Sequence, residues 1–440
     1  MLLSSLPFPG KKGCNVDWSC GSLGTQASYS EEVLGVGVNL EHYDGQRDNP
    51  DKLAYVHTTL DLIGETAVGH LKVRKNVWKL PFTHWIPLYL DPTHGETSRF
   101  RDLLKASLGS ICGSRERGQA HVEFSPDMAL TLFLKMMNTL VVSMMKGHLH
   151  ESIVALDGYA ACVHILLAMM RWYPSLRTIV DDRIARFLVG ERGRNKYQCR
   201  SLGEWLPLLV LTDKYEWKDV ANDYLEENFD RNAKWVLKEH PHLLGVADRY
   251  RQQARTKRAA GKDDKAKRPV RRQLMSIWSR DTRVSQHLLM FHVAFLRIFR
   301  LYGPTGERRA SLRQLTTAEL FEQLNACFGR PSAGMQMMLQ RSVKAIRRVD
   351  DWDVMFHRVG LTPPSKQYLT QWLVQSIHNS ERRRYHYRRD VEGLFERQEA
   401  EKQQRMRQER SRGPRHVAVD EWDAMAEKCW SRGRASSNWY

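Results

Sequence analysis

The segment ERRRYHYRRD, residues 381–390, gathers residue types that contact polyanions. Arg382, Arg383, Arg384, Arg388 and Arg389 can fork onto phosphate oxygens, while Tyr385 and Tyr387, with His386 between them, can stack on bases. A solvated helix face, or a contact for an acidic protein, would be written with the same residues. The segment follows the last apolar helix, so replacing all five arginines by Gln is expected to leave the body folded. A second basic stretch, Arg249 to Arg272, holds eleven Lys and Arg, among them Arg268, Arg271 and Arg272, against Asp263 and Asp264 alone. It reads as a solvated linker suited to an anionic surface or to nuclear import. The whole chain carries a formal charge of +18 with a pI near 9.6, which favours acidic partners.

Other candidates for chemistry are weaker. In KNVWKLPFTHWIPLYLDPTHGE, Trp78, Phe82, His84, Trp85 and Tyr89 could line a pocket, but a plug of core aromatics is the favoured reading. On that reading Trp85→Ala lowers stability rather than removing an activity. Gly35-Val36-Gly37 has Leu40 where a dinucleotide fingerprint needs its third glycine, and no GxxxxGK[ST] phosphate loop occurs. His148 and His150 would point about 200° apart on a helix, and Cys14 and Cys20 lack a matching pair, so no metal is expected. No Ser or Cys sits in a nucleophile elbow. These readings point away from an enzyme and imply no cofactor.

The elements that must position these residues are mostly helices. From Ser125 to Leu244 the chain is a run of helix-length segments with apolar residues at three- and four-residue spacing, broken at Gly147, Pro174, Gly190, Gly203 and Pro241. Helices resume at Leu274 and end near Ser380. Residues 31–97 form a small mixed module, with strands expected in EVLGVGVNLEHYDG, KLAYVHTTLDLIG and HWIPLYLD and a tight turn at Asp44-Gly45. The expected fold is mainly α: a multi-helical body, open to a solenoid-like stack, with a small N-terminal α/β or β module and a long charged C-terminal helix. Its parts are a poorly ordered stretch over 1–30, the module over 31–97, helical domains over 98–247 and 274–380, a basic linker over 248–273, and a charged helix and tail over 381–440.

Two apolar runs, Met128–Met145 and Ile153–Met170, approach membrane-span length. They contain Lys135 and Asn138, and Asp157 and His164, at a depth where charge is costly, so no membrane insertion is expected. Seven scattered cysteines and the absence of a signal-peptide pattern suit a cytoplasmic or nuclear protein.

Several phrases stand together: LDLIGETAVG, VWKLPFTHWIPLYLD, MMNTLVVSMMKGHLHESIVALDGYAACVHILL, SLGEWLPLLVLTDKYEWKDVANDYLEENFDRNAKWVL, LLMFHVAFLRIF, NACFGRPSAGMQMMLQ and WLVQSIHNSERRRYH. Over roughly Val33 to His386 the chain resembles the conserved helical region of large eukaryotic, mainly protist, proteins that carry a ubiquitin-conjugating-like domain elsewhere. His240-Pro241-His242 departs from the His-Pro-Asn motif of such a domain, and no active-site cysteine follows it. The resemblance therefore implies an accessory or scaffold region, with no catalytic residue to carry over. The expected function is a non-enzymatic helical scaffold that binds another protein, in ubiquitin signalling. The alternative is a nucleic-acid-associated protein using its two basic stretches.

Overall fold

A computed structural model of the chain describes residues 32–42, 53–76, 79–91, 97–112, 124–147, 153–257, 268–306 and 313–388, with residues 393, 400, 403, 404 and 407 beyond them. Three antiparallel strands, β1 (Leu34–His42), β2 (Leu53–Gly64) and β3 (His84–Tyr89), pair in the order β2-β1-β3. Alternation sets their faces: Val36, Val38, Val56, Ile86 and Leu88 are buried in the core. Gly35 and Gly37 fall on the other face of β1. A Cβ at Gly35 would lie 2.2 Å from the Ile86 carbonyl oxygen and 2.5 Å from the Trp85 ring, and one at Gly37 2.4 Å from Phe82. The two glycines therefore let the Trp85 and Phe82 side chains approach the strand backbone closely. Gly-Val-Gly is a shelf for Trp85 and Phe82, not a phosphate loop.

A short helix, α1 (Glu65–Gly69), precedes β3, and among the described residues every later element is helical. These are α2 (Thr97–Cys112), α3 (Asp127–Lys146), α4 (Ile153–Trp172), α5 (Ser175–Leu188), α6 (Glu191–Arg194), α7 (Leu202–Trp205) and a 3-10 turn at Leu206–Val210. They continue with α8 (Trp217–Glu239), α9 (Leu243–Lys257), α10 (Arg268–Asp281) and α11 (Arg283–Tyr302). The last are α12 (Thr317–Ala326), α13 (Ala333–Arg347), α14 (Trp352–Arg358) and α15 (Lys366–Arg382). Their starts are written in the sequence. Thr316 and Glu319 form a reciprocal capping box at α12, Asp351 accepts from Asp353 N and Val354 N at α14, and Ser365 accepts from Tyr368 N at α15. The fold is mainly α with a small N-terminal β module.

α3 and α4 are long and apolar enough to cross a membrane, yet 78% and 89% of their most apolar windows are buried inside the protein. Their polar residues are answered by other parts of the chain. Lys135 lies 3.1 Å from Glu204, Asp157 accepts from Gln336 Nε2 at 2.8 Å with Arg330 at 3.8 Å, and His164 pairs with Asn325 at 3.3 Å. A buried charge needs such a partner, and each one here fixes how another helix packs against α3 or α4.

One core runs through the whole body. α11 packs on α3, α12 and α13 on α4, and α15 on α8, so the segments 98–247 and 274–380 share a single hydrophobic interior. The basic stretch is less of a linker than its composition implies. α9 continues to Lys257, anchored by buried Leu243, Val246, Ala247 and Tyr250, and α10 begins at Arg268, anchored by buried Leu274 and Trp278. Arg, Lys and Gln are good helix formers, so a charged segment can extend a helix already nucleated by packing. Residues 258–267, like Asp44-Gly45, lie outside the described residues.

Between α4 and α11, Tyr159 and His292 Nδ1 are 2.7 Å apart in a fully buried setting, and burial pushes His292 down to about 3. Below an unfolded-state value near 6.5 the unfolded chain takes up a proton that the folded chain refuses. Stability is therefore lost as pH falls, by about 2 kcal/mol at pH 5 for this one group. His164, pushed down to about 4 by burial, acts in the same direction, while Asp157, raised to about 6 by burial, opposes it. We expect His292→Leu to flatten the decline of melting temperature between pH 7 and pH 5 relative to wild type. Parallel pH profiles would contradict this.

Candidate functional site

The helix breaks inside the arginine segment over residues 383–387, and the described positions beyond it, 388, 393, 400, 403, 404 and 407, are helical. α15 ends at Arg382, and Arg384 adopts φ +56°, turning Tyr385 back onto α8. The cause is a pair of carboxylates on one face of α8. Glu227 and Asp230 are both 0% exposed, and Arg383, itself 7% exposed, reaches them at 2.6 Å and 3.0 Å. Tyr385 donates its hydroxyl to Glu227 at 2.6 Å, and Arg231 donates Nε to the same oxygen at 2.6 Å. Arg231 also donates to the carbonyls of Arg194 at 2.8 Å and Cys199 at 2.6 Å, which fixes the loop after α6. Burial raises Asp230 to about 7 against the pull of Arg383.

This network overturns part of the polyanion reading. Tyr385 is buried and cannot stack on a base, and Arg383 is the counter-ion of two buried acids rather than a free fork. His386 is buried as well, with Nδ1 2.8 Å from Ser380 Oγ. The outward groups are Arg382, Arg384 and Tyr387, with Arg388 half-buried. Arg382 pairs with Glu191, and Arg388 reaches Asp248 at 2.9 Å and Glu381 at 3.2 Å. Arg389 lies outside the described residues.

The described members of the aromatic cluster near β3 pack against the strands. Trp85 is half-buried on the glycine shelf and donates Nε1 to the Ile63 carbonyl at 3.0 Å, tying β3 across β1 to β2. His84 is half-buried beside Thr83, at 2.9 Å. Phe82 and Tyr89 are buried in the core, and Trp78 lies outside the described residues. Trp85 is thus a clamp on the strand rather than a fully buried plug.

A cleft of about 310 Å³ does open where α9 meets the end of α15, lined by Arg251, Gln375, His378, Asn379, Glu381 and Arg382. Burial, then nearby Arg251, holds His378 below the usual histidine range, with Asp248 3.9 Å away. The cleft joins the two basic stretches: Arg251 comes from one and Arg382 from the other. Of the remaining basic residues, Arg271 is half-buried and Arg272 exposed on α10, and Arg268 begins that helix. Sequence reasoning did not single out Arg251, Gln375 or His378. The readable signal was EENFDRN in α8, where Glu227 and Asp230 stand three residues apart on one helix face, among buried residues that include Tyr224 and Phe229, and demand cationic partners.

Among the described residues no group of three or more His, Cys, Asp or Glu could hold a metal ion. His148, His150, Cys14 and Cys20 lie outside those residues. Burial pushes the thiols of Cys112, Cys199 and Cys327 up to about 11 and that of Cys162 higher, which removes their nucleophilic form near neutral pH. No protein-family model and no curated protein matches this chain.

Proposed function

We propose that the chain is a non-enzymatic helical scaffold that binds an acidic segment of a partner protein at the junction of α9 and α15. The observation carrying this reading is the convergence of Arg251 and Arg382 on one cleft from two distant basic stretches. Glu381 and Asp248 are held by Arg388, which leaves the exposed guanidinium of Arg251, with Arg382 across the cleft, to set the sign of the site. The cleft's polar lining is ordered: Gln375 Nε2 donates to Asn379 Oδ1 at 2.9 Å. Two further features support a binding role over chemistry. The described thiols are held protonated, and the buried acids of α8 are neutralised by Arg231 and Arg383. The resemblance to helical regions of proteins with a ubiquitin-conjugating-like domain supports ubiquitin signalling as the setting.

Affinity purification with and without nuclease tests the reading. Bound proteins are expected to persist after nuclease and to be lost from an Arg251→Glu/Arg382→Glu variant. Proteins that vanish on nuclease treatment, or that the double variant retains, would overturn it.

A further inference from the structure

The wall of the α9–α15 cleft holds a titratable ring. His378 lines it together with Arg251 and Arg382, and its side chain is only 12% exposed. Its Nε2 is buried without a hydrogen-bond partner. The carboxylate of Asp248 stands 3.9 Å away, already engaged by Arg388 at 2.9 Å. The charges around the ring come from three elements. α9 presents Asp248 and Arg251, α15 presents Glu381 and Arg382, and the turn after α15 brings Arg388 and buried His386. The acids on the other helices packed against α15 are already paired. On α8, Glu227 and Asp230 are held by Arg231 and Arg383, and on α10 the basic Arg271 and Arg272 precede Asp281, which pairs with Arg280. Burial, then Arg251, opposes a positive ring, so His378 is neutral at neutral pH.

We propose that His378 couples capture in this cleft to a proton: the ring becomes charged as an acidic segment enters. The coupling rests on capture of an acidic partner segment at the cleft and adds pH control to it. A carboxylate set against Arg251 neutralises the cation that opposes protonation, and it attracts the imidazolium as well. The bound state therefore holds the proton more readily than the free state. Linkage is reciprocal, so the proton strengthens the segment's binding by the same factor, and affinity rises as pH falls. The gain is complete below the free-state titration of His378 and disappears as pH rises through its bound-state titration. The free ring titrates below the ordinary 6.5. The sensitive window therefore runs from about pH 7.5 down to about pH 5.5.

Calorimetric titration of the full chain with unlabelled hexa-aspartate peptide, in buffers of different ionisation enthalpy, tests the coupling. At about pH 6.5 wild type should take up a fraction of a proton on binding. Its affinity should rise by about 5-fold or more between about pH 7.5 and about pH 5.5. His378→Gln should flatten that profile and remove the dependence on buffer, with melting curves at each pH to establish folding. Proton uptake by wild type needs no variant, so it decides the matter even if His378→Gln fails to fold. Peptide that does not bind, or that binds an Arg251→Glu/Arg382→Glu variant as well as wild type, would overturn the acidic-segment reading and the coupling with it. Arginine-dependent binding without proton uptake would overturn the coupling alone. A His378→Gln variant that keeps the wild-type pH profile would do the same, and would assign the proton to Asp230 or His386.

Discussion

Arg383→Leu should lower the stability of the protein by about 3–5 kcal/mol, the range for removing one partner of a buried ion pair. Glu227 and Asp230 are fully buried, and Arg383 is the guanidinium that reaches both, at 2.6 Å and 3.0 Å. Without it Glu227 keeps Arg231, while Asp230 must either take up a proton or draw in water. The end of α15 and the turn at Tyr385 should detach from α8 as a result. Urea unfolding measures the loss, and exposed Arg384→Leu serves as the control, expected within about 0.5 kcal/mol of wild type. Equal midpoints for the two variants would contradict the assignment. Replacing all five arginines by Gln was expected from the sequence to spare the body. With Arg383 among them it should not, so that variant cannot probe binding.

Arg300→Leu should be comparably damaging. Its guanidinium is buried and donates to three backbone carbonyls, of Leu315 at 2.6 Å, Val210 at 3.1 Å and Thr212 at 2.6 Å, as well as to Asp213 at 2.9 Å. Asp213 in turn accepts from Thr317 N at 2.8 Å, so one side chain ties the 3-10 turn, α11 and the start of α12 together. Each stranded carbonyl costs about 1–3 kcal/mol, partly relieved by relaxation, and a total of about 3–5 kcal/mol is expected. Arg300→Lys should recover little, because a single ammonium cannot reproduce the planar fork. A lysine variant with the melting temperature of wild type would overturn this account.

The periodicities that were strong in the sequence correspond to real elements. LGVGVNLEH became β1, and the apolar runs around Met136 and Leu166 became α3 and α4, because a face buried along its whole length leaves a clear spacing. The glycine shelf was not legible: Gly-Val-Gly states that something approaches the backbone, but not that Trp85 and Phe82 do. Arg383 and Tyr385 read as solvated for a similar reason. Their partners Glu227 and Asp230 lie in α8, far away in sequence, and a charge looks exposed until its counter-ion is located. Likewise, the basic stretch looked unstructured because composition reports what a segment cannot bury. It does not report that Tyr250 and Trp278 hold the helices on either side.

The separation of Asp230 from Arg383 also orders events during synthesis. The two residues lie 153 positions apart. At ribosomal speeds of 5–20 residues per second, α8 waits roughly 8–30 s for the cation that completes it. Over that interval α3 and α4, the most apolar of the described helices, also lack the segments that cover them: His292, Asn325 and Gln336 all follow α8. A nascent chain in that state presents two membrane-like helices and an unneutralised acidic pair to its surroundings. Its yield in a cell should therefore depend on chaperones that shield the N-terminal half until the last helix has left the ribosome.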